Sequence, residues 1–222
     1  MRTSQEEVEY NSWLLKLGNR ELSNITDATV EATANKAIFT PLNDDVQALN
    51  YKILSQVQGE LSTYHSVDTI AEEKGVILSD YPVEFLNSLN PTGMPPHELK
   101  LKAGAVIMLL RNLNRKRGLC NGTRLYVKSL KANVIHAFAL NGKAKGQTVL
   151  IPRIDLISKV KNWPIQMRQH QFPVMLAFTV TINKSQGQSL DMVGIYLHLS
   201  VFSHGQLYVA FSRGRKSQQI RL

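Results

Sequence analysis

The sequence predicts an α/β domain built on a parallel sheet and interrupted by a small antiparallel β unit. Three observations carry that expectation. Residues 36–57 read as a buried strand, a Pro-Leu-Asn-Asp-Asp turn and an amphipathic helix, the building block of a parallel sheet. Residues 174–180 form an apolar run, as expected of a strand buried on both faces, and break into the polar, glycine-closed Thr-Ile-Asn-Lys-Ser-Gln-Gly of 181–187. Between these two stretches, residues 99–151 hold short strand-like segments at ~10-residue spacing, separated by glycine turns.

Taken in order, residues 5–17 are amphipathic, with Val8, Trp13, Leu14, Leu15 and Leu17 on the apolar side, Ser4 as N-cap and Gly18-Asn19 as the stop. Residues 19–35 are polar, lack periodicity and read as a loop. The strand at 36–40 leads into a helix capped by Asn43, with Asp44 and Asp45 in the first turn, where the helix dipole favours carboxylates. Val46, Leu49, Asn50, Ile53, Leu54 and Val57 recur along it at helical spacing, and Gly59 closes it. The tip Thr40-Pro41-Leu42-Asn43 suits either a phosphate contact or ordinary capping.

Residues 61–69 alternate as one strand, 70–80 read as a loop, and 83–89 as a short helix stopped by Asn90-Pro91-Thr92-Gly93. The stiff Met94-Pro95-Pro96-His97 passage marks a boundary near residue 98. Strand, glycine turn and strand follow over 99–112, then a basic loop at 114–121. Strands at 123–130, 134–140 and 148–151 are punctuated by Asn121-Gly122 and Asn141-Gly142. An apolar segment at 193–197 and a helix over 203–213, with Leu207, Ala210 and Phe211 on one side, complete the chain. The expected division is residues 1–97, an inserted basic unit at 98–170, and 171–222 resuming the first sheet.

Charge is distributed by segment. Residues 1–99 carry 15 acidic against 6 basic side chains, whereas residues 100–170 carry 15 basic side chains and only Asp155. A basic block set in strands and tight turns is the electrostatic footprint of a polyanion partner; the alternative is a solvated basic surface. The single cysteine, Cys120, excludes an internal disulfide, and no Cys/His set has metal-ligand spacing, so a reducing, intracellular setting is expected. No apolar run approaches the ~20 residues of a membrane span, and residues 1–10 are unlike a targeting signal. His65, His198 and His204 read as structural.

A polar loop at the end of a buried strand is where open α/β sheets bind ligands. The groups at 181–187 and the guanidinium that ends the 203–213 helix suit phosphate.

Longer stretches carry a family likeness: LNSLNPTGMPPHELKLKAGAVIMLLRNLN at 86–114, GLCNGTRL at 118–125, VLIPRI at 149–154, RQHQFPVMLAFTVTINKSQGQSL at 168–190 and VFSHGQLYVAFSR at 201–213. With these, residues 5–213 resemble the C-terminal motor half of the petite-integration-frequency DNA helicases, in the branch carried by Helitron-type mobile elements. The resemblance implies a second RecA-like domain with an inserted small SH3-like β-barrel. The TINKSQG and GQLYVAFSR segments then match helicase motifs V and VI. Such proteins are ATP- and Mg2+-dependent helicases that move 5′ to 3′ on single-stranded DNA in the nucleus. The chain departs from the family pattern in carrying no G-x-x-x-x-G-K-[ST] phosphate loop and no matching acidic pair. ATP and Mg2+ are therefore expected only with an N-terminal RecA-like domain, in the same or another chain, and little turnover without it.

On that likeness Arg213 is the arginine finger, Gly187 admits the nucleotide, and Gln206 orients the site. Arg213 as a helix-end cap and Gln206 as a structural residue remain alternatives. Thr181, Asn183, Lys184 and Ser185 face the DNA backbone, or serve as turn and cap residues. Arg111, Arg115, Lys116, Arg117 and Arg124 form the barrel's DNA or partner surface. A catalytically silent single-strand-binding remnant and a protein-interaction platform are the competing functions.

Overall fold

One passage of chain, residues 174–181, belongs to two different sheets. The computed structural model describes residues 36–71, 81–158, 166–185, 190, 192–197, 204–213 and 220–221. The helix and loop expected at 5–35, and Gly187, lie outside them.

The first sheet is parallel. Strand β1 (Lys36–Thr40) is followed by helix α1 (Asn43–Gln56), as the strand–turn–helix pattern requires. Leu42 rather than Asn43 occupies the N-cap position, and no side chain caps the helix. Thr40 instead donates its hydroxyl to Asp45 at 3.2 Å, so the first turn is tied to the strand end.

Strands β2 (Ser62–His65) and β3 (Val67–Ile70) divide the alternating stretch that suggests one strand. Ser66 lies between them and donates its N–H to the His97 carbonyl, letting the chain change partners. Helix α2 (Val83–Ser88) follows, then β4 (Glu98–Leu101), which pairs with β2. β5 (Val106–Leu109) lies beyond Gly104, whose φ of +90° suits a residue without Cβ. β4 and β5 do not form a hairpin with each other: β5 joins β6 (Arg124–Leu130), β7 (Val134–Ala139) and β8 (Thr148–Pro152) in an antiparallel sheet.

Strands β9 (Ile154–Ile157) and β10 (Met167–Gln171) pair with each other, and β10 also pairs with β3. Polar β10 reads as a linker in sequence because one face carries Arg168 and His170 while Gln169 and Gln171 are buried as hydrogen-bonded amides.

The run at 174–180 becomes β11 (Val174–Leu176) and β12 (Thr179–Thr181). β11 is antiparallel to β5, whereas β12 is parallel to β1. The predicted single strand is thus corrected to two. β13 (Met192–Ile195), helix α3 (His204–Phe211) and β14 (Ile220–Arg221) complete the described elements. The sheets run β12-β1-β13-β14 and β11-β5-β6-β7-β8, and one continuous apolar core joins them through residues such as Phe39, Ile107, Leu125, Phe172 and Val180.

Asn50 explains the start of β12. Buried on α1, it accepts from the Thr179 N–H and donates to the Thr179 carbonyl, both at 2.9 Å. Asn50→Leu leaves both backbone groups unpaired and is expected to lower unfolding free energy by about 2 kcal/mol, read by urea denaturation.

Candidate functional site

The parallel sheet ends in a single 3-10 turn, Ile182–Ser185, anchored by fully buried Ile182. Within it the Ser185 hydroxyl donates to the Ile182 carbonyl at 2.6 Å and is itself fully buried. A direct DNA contact by that side chain is therefore corrected: tightening the turn consumes its donor. Thr181, on β12 opposite Thr40, is also buried and withdrawn from the surface. Asn183 is exposed. Lys184 is half-buried, its Nζ lies 3.4 Å from Met175 Sδ, and burial lowers its pKa.

Helix α3 packs against this turn, bringing together two stretches about 20 residues apart in sequence. The Leu190 N–H donates to the Arg213 carbonyl at 3.0 Å, which ties Leu190 to the segment just past the helix. The Arg213 guanidinium folds onto its own helix, donating from Nε to the Val209 carbonyl at 3.2 Å and from Nη2 to the Ser212 hydroxyl at 3.0 Å. Gln206 buries its amide oxygen without a hydrogen bond among the described residues.

The five arginine and lysine positions expected on one basic surface separate into three groups. Arg115, Lys116 and Arg117 form the exposed tip of a turn closed by the Asn114–Leu119 bridge. The Asn114 side chain accepts the Arg117 N–H at 3.1 Å and shapes that tip. Gly118, at φ +80°, brings the tip against a second turn; a Cβ there would lie 2.7 Å from Lys143 Cβ. Exposed Lys143 and Lys145 thus join the cationic surface. Their spacing after Asn141-Gly142 is visible in sequence, but nothing there places the two turns side by side.

Arg111 does not present its charge freely. It donates from Nη1 to the Gly93 carbonyl at 2.8 Å and the Leu110 carbonyl at 2.9 Å, pinning the loop at 90–96.

Arg124 is corrected outright, being 1% exposed. Its Nη2 donates to the Lys36 carbonyl at 2.7 Å and the Ala177 carbonyl at 3.3 Å. It lies at the first position of β6, facing inward, and ties the antiparallel sheet to β1 and to the link between β11 and β12.

His97 lies 2.9 Å from both Ser66 Oγ and Asp68 Oδ2. Both contacts use Nδ1, so this is not the relay of a hydrolytic triad, which needs both ring nitrogens. Among the described residues no group of three His, Cys, Asp or Glu side chains is placed to hold a metal, and none is assigned to magnesium. No described helix is long and apolar enough to cross a membrane.

Residues 84–130 match the family model for the 2B domain of DNA helicase Pif1. The chain is 32% identical to ATP-dependent DNA helicase PIF1 of Mus musculus over 185 residues, covering 81% of this chain and 25% of that protein. It is likewise 32% identical to ATP-dependent DNA helicase Pif1 of Bdellovibrio bacteriovorus over 145 residues, covering 65% of this chain and 31% of that one. The chain thus spans about a quarter to a third of these relatives. Among solved structures it is similar to a Bacteroides Pif1 helicase in complex with ADP-AlF3 and single-stranded DNA, at TM-score 0.58 and 28% identity, over 93% of this chain and 43% of that one. The Candida albicans Pif1 helicase shares the fold at TM-score 0.63 and 22% identity, over 95% of this chain and 53% of that one.

Proposed function

This chain is a relative of the Pif1 DNA helicases over four-fifths of its length, and from that premise we propose that it forms one half of an ATP-driven motor on single-stranded DNA. In this reading the parallel-sheet unit is a second RecA-like domain and the β5–β8 sheet belongs to an inserted SH3-like barrel. The observation that carries the reading is the docking of α3 on the 3-10 turn at the end of the parallel sheet. In that packing Asn183 and Lys184 lie close in the fold to α3, which ends two residues before Arg213.

The division of labour follows from the chemistry of each group. Asn183 and Lys184 take the DNA backbone in this reading, since Thr181 is buried and the Ser185 hydroxyl is committed to the turn. Arg213 acts on charge developing at the γ-phosphoryl group, with Gln206 positioning its helix and Gly187 admitting the nucleotide. A phosphate-loop domain, from the same or another chain, supplies the other wall of that site together with Mg2+. The tip at 115–117 and Lys143 with Lys145 hold phosphates away from the motor.

Counterion release makes this testable. Binding of the full chain to oligothymidylate should weaken linearly with log salt, with a slope of about −0.7 per phosphate neutralised. The triple variant Arg115→Glu, Lys116→Glu, Arg117→Glu should reduce the magnitude of that slope by about 2. An unchanged slope removes the tip from the DNA surface and favours an interaction platform. Salt-insensitive binding, or none, overturns the motor reading and the silent-remnant reading together.

A further inference from the structure

A cleft of about 400 Å³ opens between α1, the loop at 90–96 and the Met175–Leu176 end of β11, and Lys184 of the 3-10 turn reaches into its lining. The volume is in the range of small-ligand sites. Its apolar lining includes Val46, Met94, Leu99, Met175 and Leu176, all buried except Met175. Its polar edge carries the exposed amides of Asn43, Gln47 and Asn90.

The walls are built rather than incidental. Arg111 holds the 90–96 loop through the Gly93 carbonyl. Asn50, also in the lining, has its amide committed to Thr179, which fixes α1 against β12.

Resting on the single-strand reading above, we propose that this cleft receives one unstacked base of a single DNA strand, with the adjoining phosphate on the Lys184 side. A nucleobase is flat and apolar on its faces but carries both donors and acceptors on its edge. Thioethers of Met94 and Met175 suit the polarisable faces. The three amides, each both donor and acceptor, suit an edge without demanding one base. A buried apolar side chain from a protein partner would need neither the amides nor the cation. Asp44, also in the lining, disfavours a second phosphate at the opposite end. Desolvation disfavours the charge of the half-buried Lys184 ammonium, and a phosphate at this edge of the cleft would favour it.

The test compares two ligands on the full chain: oligothymidylate, and a strand of the same length made entirely of abasic sites. Gln47→Trp, at an exposed position on α1, fills the cleft without touching the core, and Ala48→Trp on the same helix is the control outside the lining. Oligothymidylate should bind about tenfold more tightly than the abasic strand, and Gln47→Trp should erase that difference while Ala48→Trp keeps it. Equal binding of the two strands by the unmodified chain overturns the base site and leaves the backbone reading standing. A Gln47→Trp effect of equal size on both strands also overturns it, since bulk would then obstruct backbone alone. Absence of binding to either strand overturns the single-strand reading itself, and the base site with it.

Discussion

Arg124→Ala is expected to lower unfolding free energy by about 3–5 kcal/mol, the largest single-residue loss among the described core positions. Two effects add. The carbonyls of Lys36 and Ala177 lose their guanidinium donor, and the largest fully buried side chain among the described residues leaves a cavity. Arg124→Met separates them: it restores volume but no donor, and should recover about half the loss. Replacing buried charges by apolar residues is often neutral, but only when every partner is replaced, and here two backbone carbonyls remain. Urea denaturation of the three proteins decides the matter; equal midpoints would mean that the carbonyls are satisfied without Arg124.

The same residue has a pH signature. Burial lowers the Arg124 pKa from its ordinary value to about 10, so it is a cation at neutrality. A folded-state value below the unfolded one means that the folded chain holds fewer protons from about pH 10 up to the ordinary arginine pKa. The desolvation cost is therefore fully present below that window and is relieved as pH rises through it. The stability difference between the unmodified protein and Arg124→Met should widen with pH in that window, other titrations cancelling in the comparison.

Arg213→Ala should lower kcat for ATP by on the order of 10³–10⁵ in a motor reconstituted with a phosphate-loop domain, and leave oligothymidylate affinity within about twofold. In the proposed role the guanidinium meets a charge that exists only in the transition state, so kcat should fall and DNA binding should not. Arg213→Lys should fail to rescue, because an ammonium lacks the planar fork. In the present geometry the guanidinium is held by the Val209 carbonyl and the Ser212 hydroxyl. Leaving these for the nucleotide exchanges solvent-accessible hydrogen bonds worth about 1 kcal/mol each. The 222-residue chain alone should show no Mg2+-dependent turnover above background. Turnover by the chain alone, or full activity of the alanine variant, would remove Arg213 from the assigned role.

Much of the architecture was legible in sequence because it depends on local pattern. The strand–turn–helix at 36–56, the short helix at 83–88 and the strands at 124–139 follow from periodicity and from turn residues such as Asn121-Gly122 and Asn141-Gly142. Strand partners were not legible. The runs at 61–69 and 174–180 each read as one strand because alternation and hydrophobicity report burial, not which neighbour does the burying. Each changes sheets without a proline or glycine to mark the change, at Ser66 and at Ala177-Phe178. β10 was hidden for the opposite reason: its buried glutamines look solvent-facing until Tyr64 and Ser66 are seen to accept from their amide nitrogens.

The residue types of the candidate site were determined by the sequence alone: the hydroxyl, amide and ammonium groups of 181–185, the guanidinium at 213 and the cations of 115–117. Their availability was decided by the tertiary structure. Ser185 and Thr181 turn inward, Arg111 braces a loop, and Arg124 serves as an internal strut. Lys143 and Lys145 join the basic tip because Gly118 lets two turns touch. Charge and hydrogen-bonding capacity belong to a residue, but whether they face solvent, carbonyl or ligand depends on chain segments far away in sequence, and that is settled only when the sheets pack.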